Sequence, residues 1–262
     1  MTSGASDARA HTRTRPPVLF LTGIGLTAGV ALRPIAELEA HFDVLVAPPT
    51  AEDALALLDA AAAEQAHVVG LSFGATIAQQ IAIRHAGRVR SLVLGATTAG
   101  GELYFPPDRQ VRDFLGRLDQ LPAEEGLWAS VPYLYAAATC RHRASLVGED
   151  VAGRLKQPPN PDGYRHQHAT ARAHNLATHL AEITAPTLVI HGQQDRILPL
   201  DNGRQLAARI ADARFMPLKG GAHAFTTDVP DATKELVSFL LEHSQRRPAS
   251  PAPTRTGRAT RA

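Results

Sequence analysis

The feature that most constrains this chain is a repeated alternation: short runs rich in Val, Leu and Ile, each followed by a helical pattern, from Val18 to the end of the folded region. Parallel strands joined by crossover helices produce that rhythm, so the expected fold class is α/β. The strand candidates are Val18 to Thr22, Val44 to Ala47, His67 to Leu71, Val89 to Leu94, Thr187 to His191 and Arg214 to Pro217. Helices are expected over Leu32 to His41, Ala51 to Ala63, Phe73 to His85, Asn202 to Ile210 and Ala232 to His243, with Thr50 capping the second of these. Between Glu102 and about Ile183 the rhythm stops. No strand-like run occurs there, and helical patterns are divided by Pro122, Pro132, Pro158, Pro159 and Pro161, which reads as a helical insert within one sheet. The expected organisation is a tail over 1–16, a core over 17–101 and 184–244, a helical cap over 102–183 and a basic tail over 245–262.

Length and composition narrow the function classes. With 262 residues, 44% hydrophobic and 20% charged, the chain is one domain with an insert, not a disordered or coiled-coil protein. No apolar run approaches the roughly 18 residues that span a bilayer, and Met1 to Pro17 has no apolar signal core, so a cytoplasmic protein with no membrane partner is expected. The single cysteine, Cys140, excludes an internal disulfide and a cysteine-based zinc cluster. The net charge of +2 is divided unevenly: the tails hold eight of the 27 basic residues and one of the 25 acidic ones, leaving 19 against 24 in between. The C-terminal SQRRPASPAPTRTGRATRA is rich in Pro, Ser and Thr and has no aromatic residue to stack on a base, so it reads as a solvated tail and not a nucleic-acid arm.

The chemistry is carried by His67-Val-Val-Gly-Leu-Ser-Phe-Gly-Ala75, a strand running into G-x-S-x-G and then into a helix. At such a strand-to-helix turn the serine is held in a strained backbone conformation, and Gly70 and Gly74 leave room for the adjoining elements. Ser72 is therefore the candidate nucleophile, with the N–H of Phe73 at the positive end of the helix. A serine hydroxyl needs a base, and the base needs an orienting carboxylate. Asp195 follows the strand ending at His191, and His223 follows 28 residues later in Lys219-Gly-Gly-Ala-His223, giving the order Ser, Asp, His. The loop after Val89 to Leu94, an alternative place for the acid, has no carboxylate. His191 precedes the acid and reads as a packed or hydrogen-bonded histidine. His166, His168, His174 and His179 crowd the insert, but no Cys, Asp or Glu at ligand spacing completes a metal site. After the first strand, Gly23-Ile-Gly-Leu-Thr-Ala-Gly29 is a flexible turn whose Ile24 N–H would complete an oxyanion hole with Phe73 N–H.

These residues resemble the α/β-hydrolase superfamily from about Pro17 to His243. The segments LTGIGLTAG, HVVGLSFGATIAQQIAIRHAGRVRSLVLGATTAGG and ITAPTLVIHGQQDRILPLDNGRQLAARI are similar to the branch of 3-oxoadipate enol-lactonases and intracellular polyhydroxyalkanoate depolymerases. The resemblance implies an eight-stranded, mostly parallel sheet with a helical cap after the sixth strand, and no cofactor. It also implies Ser72 as nucleophile, Asp195 as acid, His223 as base, and Ile24 and Phe73 as oxyanion donors. Two departures stand out. Thr22 replaces the histidine that many members carry before the oxyanion glycine. Ala47-Pro-Pro-Thr50 leads straight into a helix where members have a longer loop, so the cleft is expected to lack one wall and to admit a bulky or long acyl group.

The expected activity is hydrolysis of a small-molecule ester or thioester, free or carrier-bound, through an acyl-enzyme. Phe114, Trp128, Tyr133 and Tyr135 are the candidate substrate contacts, with packing between insert helices as their alternative. Transfer to an alcohol, closure to a lactone and cofactor-free perhydrolysis would use the same three residues. A non-catalytic ligand-binding or template protein is the reading from another class. Insert surfaces of this kind can pair, so a homodimer is compatible with the sequence.

Overall fold

The computed structural model describes residues 15–26, 32–48, 50–156 and 161–244. In chain order these form β1 (Pro17–Leu21), α1 (Leu32–Glu39), β2 (Asp43–Ala47), α2 (Ala51–Ala60), β3 (Ala66–Leu71), α3 (Phe73–Arg84) and β4 (Val89–Gly95). Five helices follow: α4 (Arg109–Leu115), α5 (Ala123–Leu134), α6 (Ala137–His142), α7 (Ala144–Lys156) and α8 (Pro161–Ala173). The chain then returns to β5 (Thr187–Gly192), α9 (Leu200–Arg209), β6 (Ala213–Leu218), α10 (Phe225–Asp228) and α11 (Asp231–Ser244). Almost all of the tail expected over 1–16, and all of the basic tail over 245–262, lie outside the described residues, as do Pro158 and Pro159.

All six strands are parallel, in the order β2-β1-β3-β4-β5-β6. The resemblance implies eight strands with the insert after the sixth; the described sheet has six, with the insert after the fourth. Alternation of side chains along each strand divides the core in two. Leu19, Leu21, Val68, Leu92, Leu94 and Val189 pack with α2, α3 and α9, whereas Val18, Phe20, Val69, Val93, Leu188 and Ile190 pack with α1 and α11. Burial on both faces explains why these strands read as continuous apolar runs.

Thr50 caps α2 as expected, its hydroxyl accepting from Asp53 N at 3.1 Å. Pro132 divides nothing. It lies inside α5 near its C-terminal end, where it removes one helical hydrogen bond without ending the helix. The strand order also locates the reactive end of the molecule. From β1 the chain runs outward to β2 and then crosses to β3 on the other side of β1, so a crevice opens beyond the C-terminal ends of β1 and β3.

Candidate active site

Ser72 sits in that crevice, between the end of β3 and the start of α3. Its backbone has φ 53° and ψ −117°, a conformation that costs a non-glycine residue about 1–3 kcal/mol and persists only where neighbours enforce it. Here Ser72 N donates to Gly95 O at 2.7 Å, and Thr97 Oγ1 donates to Ser72 O at 3.0 Å. The flanking glycines are required by contact. A Cβ on Gly70 would lie 2.5 Å from Ala75 Cα, and one on Gly74 would lie 2.2 Å from Leu21 O. Helix α3 can therefore start directly against β1 and β3, with the serine at its tip.

The structure brings Ser72 together with the two partners expected from the sequence. His223 Nε2 is 3.0 Å from Ser72 Oγ, and His223 Nδ1 is 2.8 Å from Asp195 Oδ2. Asp195 is buried, and its other oxygen accepts from Ile197 N at 2.8 Å and Leu198 N at 2.9 Å. Burial works to raise its carboxyl, but the charge on His223 and hydrogen bonds from His191 and His223 outweigh it and hold the group well below the usual carboxylate range. His191 is packed and hydrogen-bonded, with Nε2 donating to Leu198 O at 2.8 Å and 3.4 Å from Asp195 Oδ2. It steadies the loop that presents the acid and does not face Ser72.

The turn after β1 lies beside the serine, and Gly23 and Ile24 line the same cavity as Ser72. Leu26 N donates to Gly23 O at 3.1 Å, closing a four-residue turn, and Thr22 Oγ1 donates to Leu26 O at 2.7 Å. Thr22 thus braces the turn from below. Phe73 N opens helix α3 and, like Ile24 N, has no hydrogen-bond partner among the described residues. Two backbone donors are left at the mouth of the crevice.

Above them is a cavity of about 510 Å³, within the size range of small-molecule sites. Its walls include Leu115, Leu118, Leu121, Leu127 and Leu134 from the segment between β4 and β5. Of the four aromatic residues expected to touch substrate, Phe114 and Tyr135 line it and Trp128 and Tyr133 do not. The pitch of α5 is the reason: Gly126, Leu127, Ser130 and Leu134 face the cavity, which turns Trp128 outward at 49% exposure. Tyr133 stacks on Phe114, with ring centroids 4.5 Å apart, and carries the Arg196 guanidinium 5.1 Å over its ring. None of the described residues from 44 to 50 lines the cavity. The end of β2 lies at the sheet edge, with β1 between it and β3.

Several cavity residues carried no sequence signal. Asp150 accepts from Arg33 Nη1 at 2.6 Å, Tyr135 Oη at 3.2 Å and Thr227 Oγ1 at 2.7 Å, and Glu149 also pairs with Arg33. Arg154, one turn beyond Asp150 on α7, lines the cavity with its Nε buried and without a hydrogen-bond partner among the described residues. The Arg33 pairings join residues more than a hundred positions apart and leave no local pattern. The insert histidines do not converge. His174 is buried, which lowers it to about 4; His179 bonds Glu182; and His168 lies against Tyr164. Among the described residues no three His, Cys, Asp or Glu side chains form a metal-ligating group.

This geometry has counterparts in known proteins. A family model for the alpha/beta hydrolase fold matches residues 47–228. The chain is an α/β-hydrolase. A relative from Variovorax paradoxus (strain S110), provisionally named carbamate hydrolase RutD, is 31% identical over 199 residues, covering 74% of this chain and 73% of that protein. The 2-hydroxy-6-oxo-6-phenylhexa-2,4-dienoate hydrolase of Comamonas testosteroni is 31% identical over 195 residues, covering 71% of this chain and 66% of its own. Among solved structures, a hydrolase from Pseudomonas aeruginosa PA01 superposes with a TM-score of 0.72 at 26% identity, covering 88% of this chain and 91% of that one. The enol-lactonase from Burkholderia xenovorans LB400 shares the fold, with a TM-score of 0.74 at 24% identity, covering 88% and 93%. No helix among the described residues is long and apolar enough to cross a membrane.

Proposed function

We propose that this α/β-hydrolase is a serine hydrolase that cleaves a carboxylic ester or thioester through an acyl-enzyme, with the helical segment 102–183 acting as its cap. The observation that carries the reading is the unbroken chain from Asp195 through His223 to Ser72 Oγ, ending in a cavity of acyl-group size. His223 Nε2 takes the Ser72 proton as Oγ attacks the carbonyl carbon. The carbonyl oxygen becomes an oxyanion facing Ile24 N–H and Phe73 N–H, and its collapse expels the alcohol or thiol, which receives the proton from His223. A water, deprotonated by the same imidazole, then attacks the acyl-enzyme and releases the acid. Asp195 holds His223 with its proton on Nδ1 and stabilises the imidazolium without itself taking a proton.

The cavity also supports a substrate class. Its leucine-rich wall suits a medium or bulky acyl group, and its polar end offers Arg154, whose buried Nε has no hydrogen-bond partner among the described residues, beside an Arg33 already balanced by Glu149 and Asp150. An acyl group carrying a carboxylate at its far end fits both features, and the dienoate in one relative's name is a compound of that charge. Hydrolysis of p-nitrophenyl esters and acyl thioesters of rising chain length, with and without a terminal carboxylate, tests this. Turnover should rise with chain length until the cavity is filled. The R154L variant should lose about 10–100-fold in kcat/KM on the carboxylated series, as for a lost charge-assisted hydrogen bond, and little on the neutral one. Turnover confined to acetyl esters, or an equal loss on both series, would contradict the assignment.

A further inference from the structure

The strained backbone at Ser72 is gripped on both sides from the end of β4. Gly95 O accepts from Ser72 N at 2.7 Å, and Thr97 Oγ1 donates to Ser72 O at 3.0 Å, across 25 residues of sequence. Ala96, between these two partners, has φ 46°, a left-handed conformation that a residue with a side chain adopts only under constraint. Ala96 N donates to Ile190 O of β5 at 3.0 Å, which fixes the turn to the sheet. The bond from Thr97 acts beyond the serine itself. Ser72 O and Phe73 N–H belong to one peptide unit, which is planar and trans, so the carbonyl and the amide point in opposite directions and turn together. Whatever fixes Ser72 O therefore fixes Phe73 N–H. Ser72 O also accepts from Ala75 N at 3.0 Å, within the first turn of α3. Relief of the strain at Ser72 would tilt this peptide about ψ of Ser72, and strained residues persist only where neighbours over-determine them. Thr97 supplies the second bond, from outside the helix.

We propose that Thr97 is a positioning residue that holds the Ser72–Phe73 peptide so that Phe73 N–H faces the oxyanion. The inference rests on the proposed serine-hydrolase reading. Thr97 is buried and does not line the cavity, whereas its neighbour Ala96 does. Its hydroxyl therefore reaches the reaction only through the peptide it holds, and substrate does not meet it. Removing the hydroxyl lets the peptide tilt and misaligns the Phe73 amide, which should weaken transition-state binding and leave ground-state binding intact. Ser72 O keeps its bond from Ala75 N, so the loss leaves no carbonyl without a partner.

The test compares wild type with T97V, which keeps the branched shape and removes the hydroxyl, and T97S, which keeps the hydroxyl and drops a methyl group. Steady-state kinetics on an ester that the wild type turns over are read beside the affinity of an alkylboronic acid, which forms a tetrahedral adduct with Ser72, and of the product carboxylic acid. T97V should lose about 5–20-fold in kcat, the effect of one hydrogen bond and less than outright removal of an oxyanion donor. KM and product-acid affinity should change less than about twofold, boronate affinity should fall in step with kcat, and T97S should stay within about twofold of wild type. T97A also lacks the hydroxyl and carries the same expectation, so a T97V that does not fold still leaves a variant that decides. Unchanged kcat and boronate affinity in a folded variant without the hydroxyl would overturn the proposal. So would a loss in T97S equal to that in T97V, or a rise in KM with equal losses for boronate and product acid. Failure of the underlying reading looks different, because the wild type itself would then show neither Ser72-dependent turnover nor boronate binding, and the proposal would fall with it.

Discussion

The Asp195→Asn variant should fold normally and hydrolyse its ester about 10⁴-fold more slowly than wild type, as the loss of the orienting carboxylate does where this constellation is understood. The amide oxygen can keep the bonds from Ile197 N and Leu198 N, which fixes the amide group in place of the carboxylate. Its NH₂ then faces His223 Nδ1, where Asp195 Oδ2 accepts at 2.8 Å. Two donors cannot share that contact, so the imidazole adopts the tautomer with its proton on Nε2. That nitrogen faces Ser72 Oγ at 3.0 Å and can no longer receive the serine proton. Because the Asp195 carboxyl is held well below the usual range, it stays ionised as pH falls through ordinary carboxylate values, so wild-type kcat/KM should show no loss from its protonation there. A D195N enzyme within about tenfold of wild type near neutral pH would contradict the role given to Asp195.

The Gly74→Ala variant should be severely destabilised by a single added methyl group. The added Cβ would meet Leu21 O at 2.2 Å, Leu21 C at 2.4 Å and Thr22 O at 2.6 Å, all backbone atoms. Strand β1 is paired on both sides, to β2 and β3, and cannot withdraw without dragging the Gly23 to Leu26 turn away from Ser72. Overpacking of this kind costs about 3 kcal/mol or more, a fall in Tm of roughly 6–12 °C for a domain of this size. Activity should fall further than stability alone explains, because the Gly23 to Leu26 turn beside Ser72 moves with the strand. Gly87→Ala is the control, since nothing lies within 4 Å of its Cβ position, and thermal unfolding should leave it close to wild type. Equal Tm values for the two variants would contradict the packing account.

The sequence made legible what rests on local pattern. The strand-to-helix turn at Ser72 was readable because strained φ, flanking glycines and an apolar strand must all occur within nine residues. Asp195 and His223 were readable because both follow short apolar runs that could only be strands, and the fold places strand ends together. The face that a helix presents was less legible. On α5 the aromatic residue Trp128 drew attention by size, yet the helical pitch gives the cavity face to Gly126, Leu127, Ser130 and Leu134. Contacts from the helical segment onto the turn and the base loop had no sequence signal at all. Gln167, which accepts from Gly25 N at 2.8 Å, and Asp228 belong here, the latter a buried carboxylate that accepts from Ala222 N at 2.7 Å and Ala136 N at 3.0 Å and so ties the base loop to the start of α6. Only the folded chain brings such residues together.

The central claim is that Ser72 is an activated nucleophile open to the cavity, and intact-mass analysis after fluorophosphonate treatment tests it most directly. The account predicts one covalent adduct per wild-type chain, formed with loss of fluoride, and none on folded Ser72→Ala. A folded wild-type protein that takes no adduct, or an adduct that persists in the Ser72→Ala variant, would contradict it.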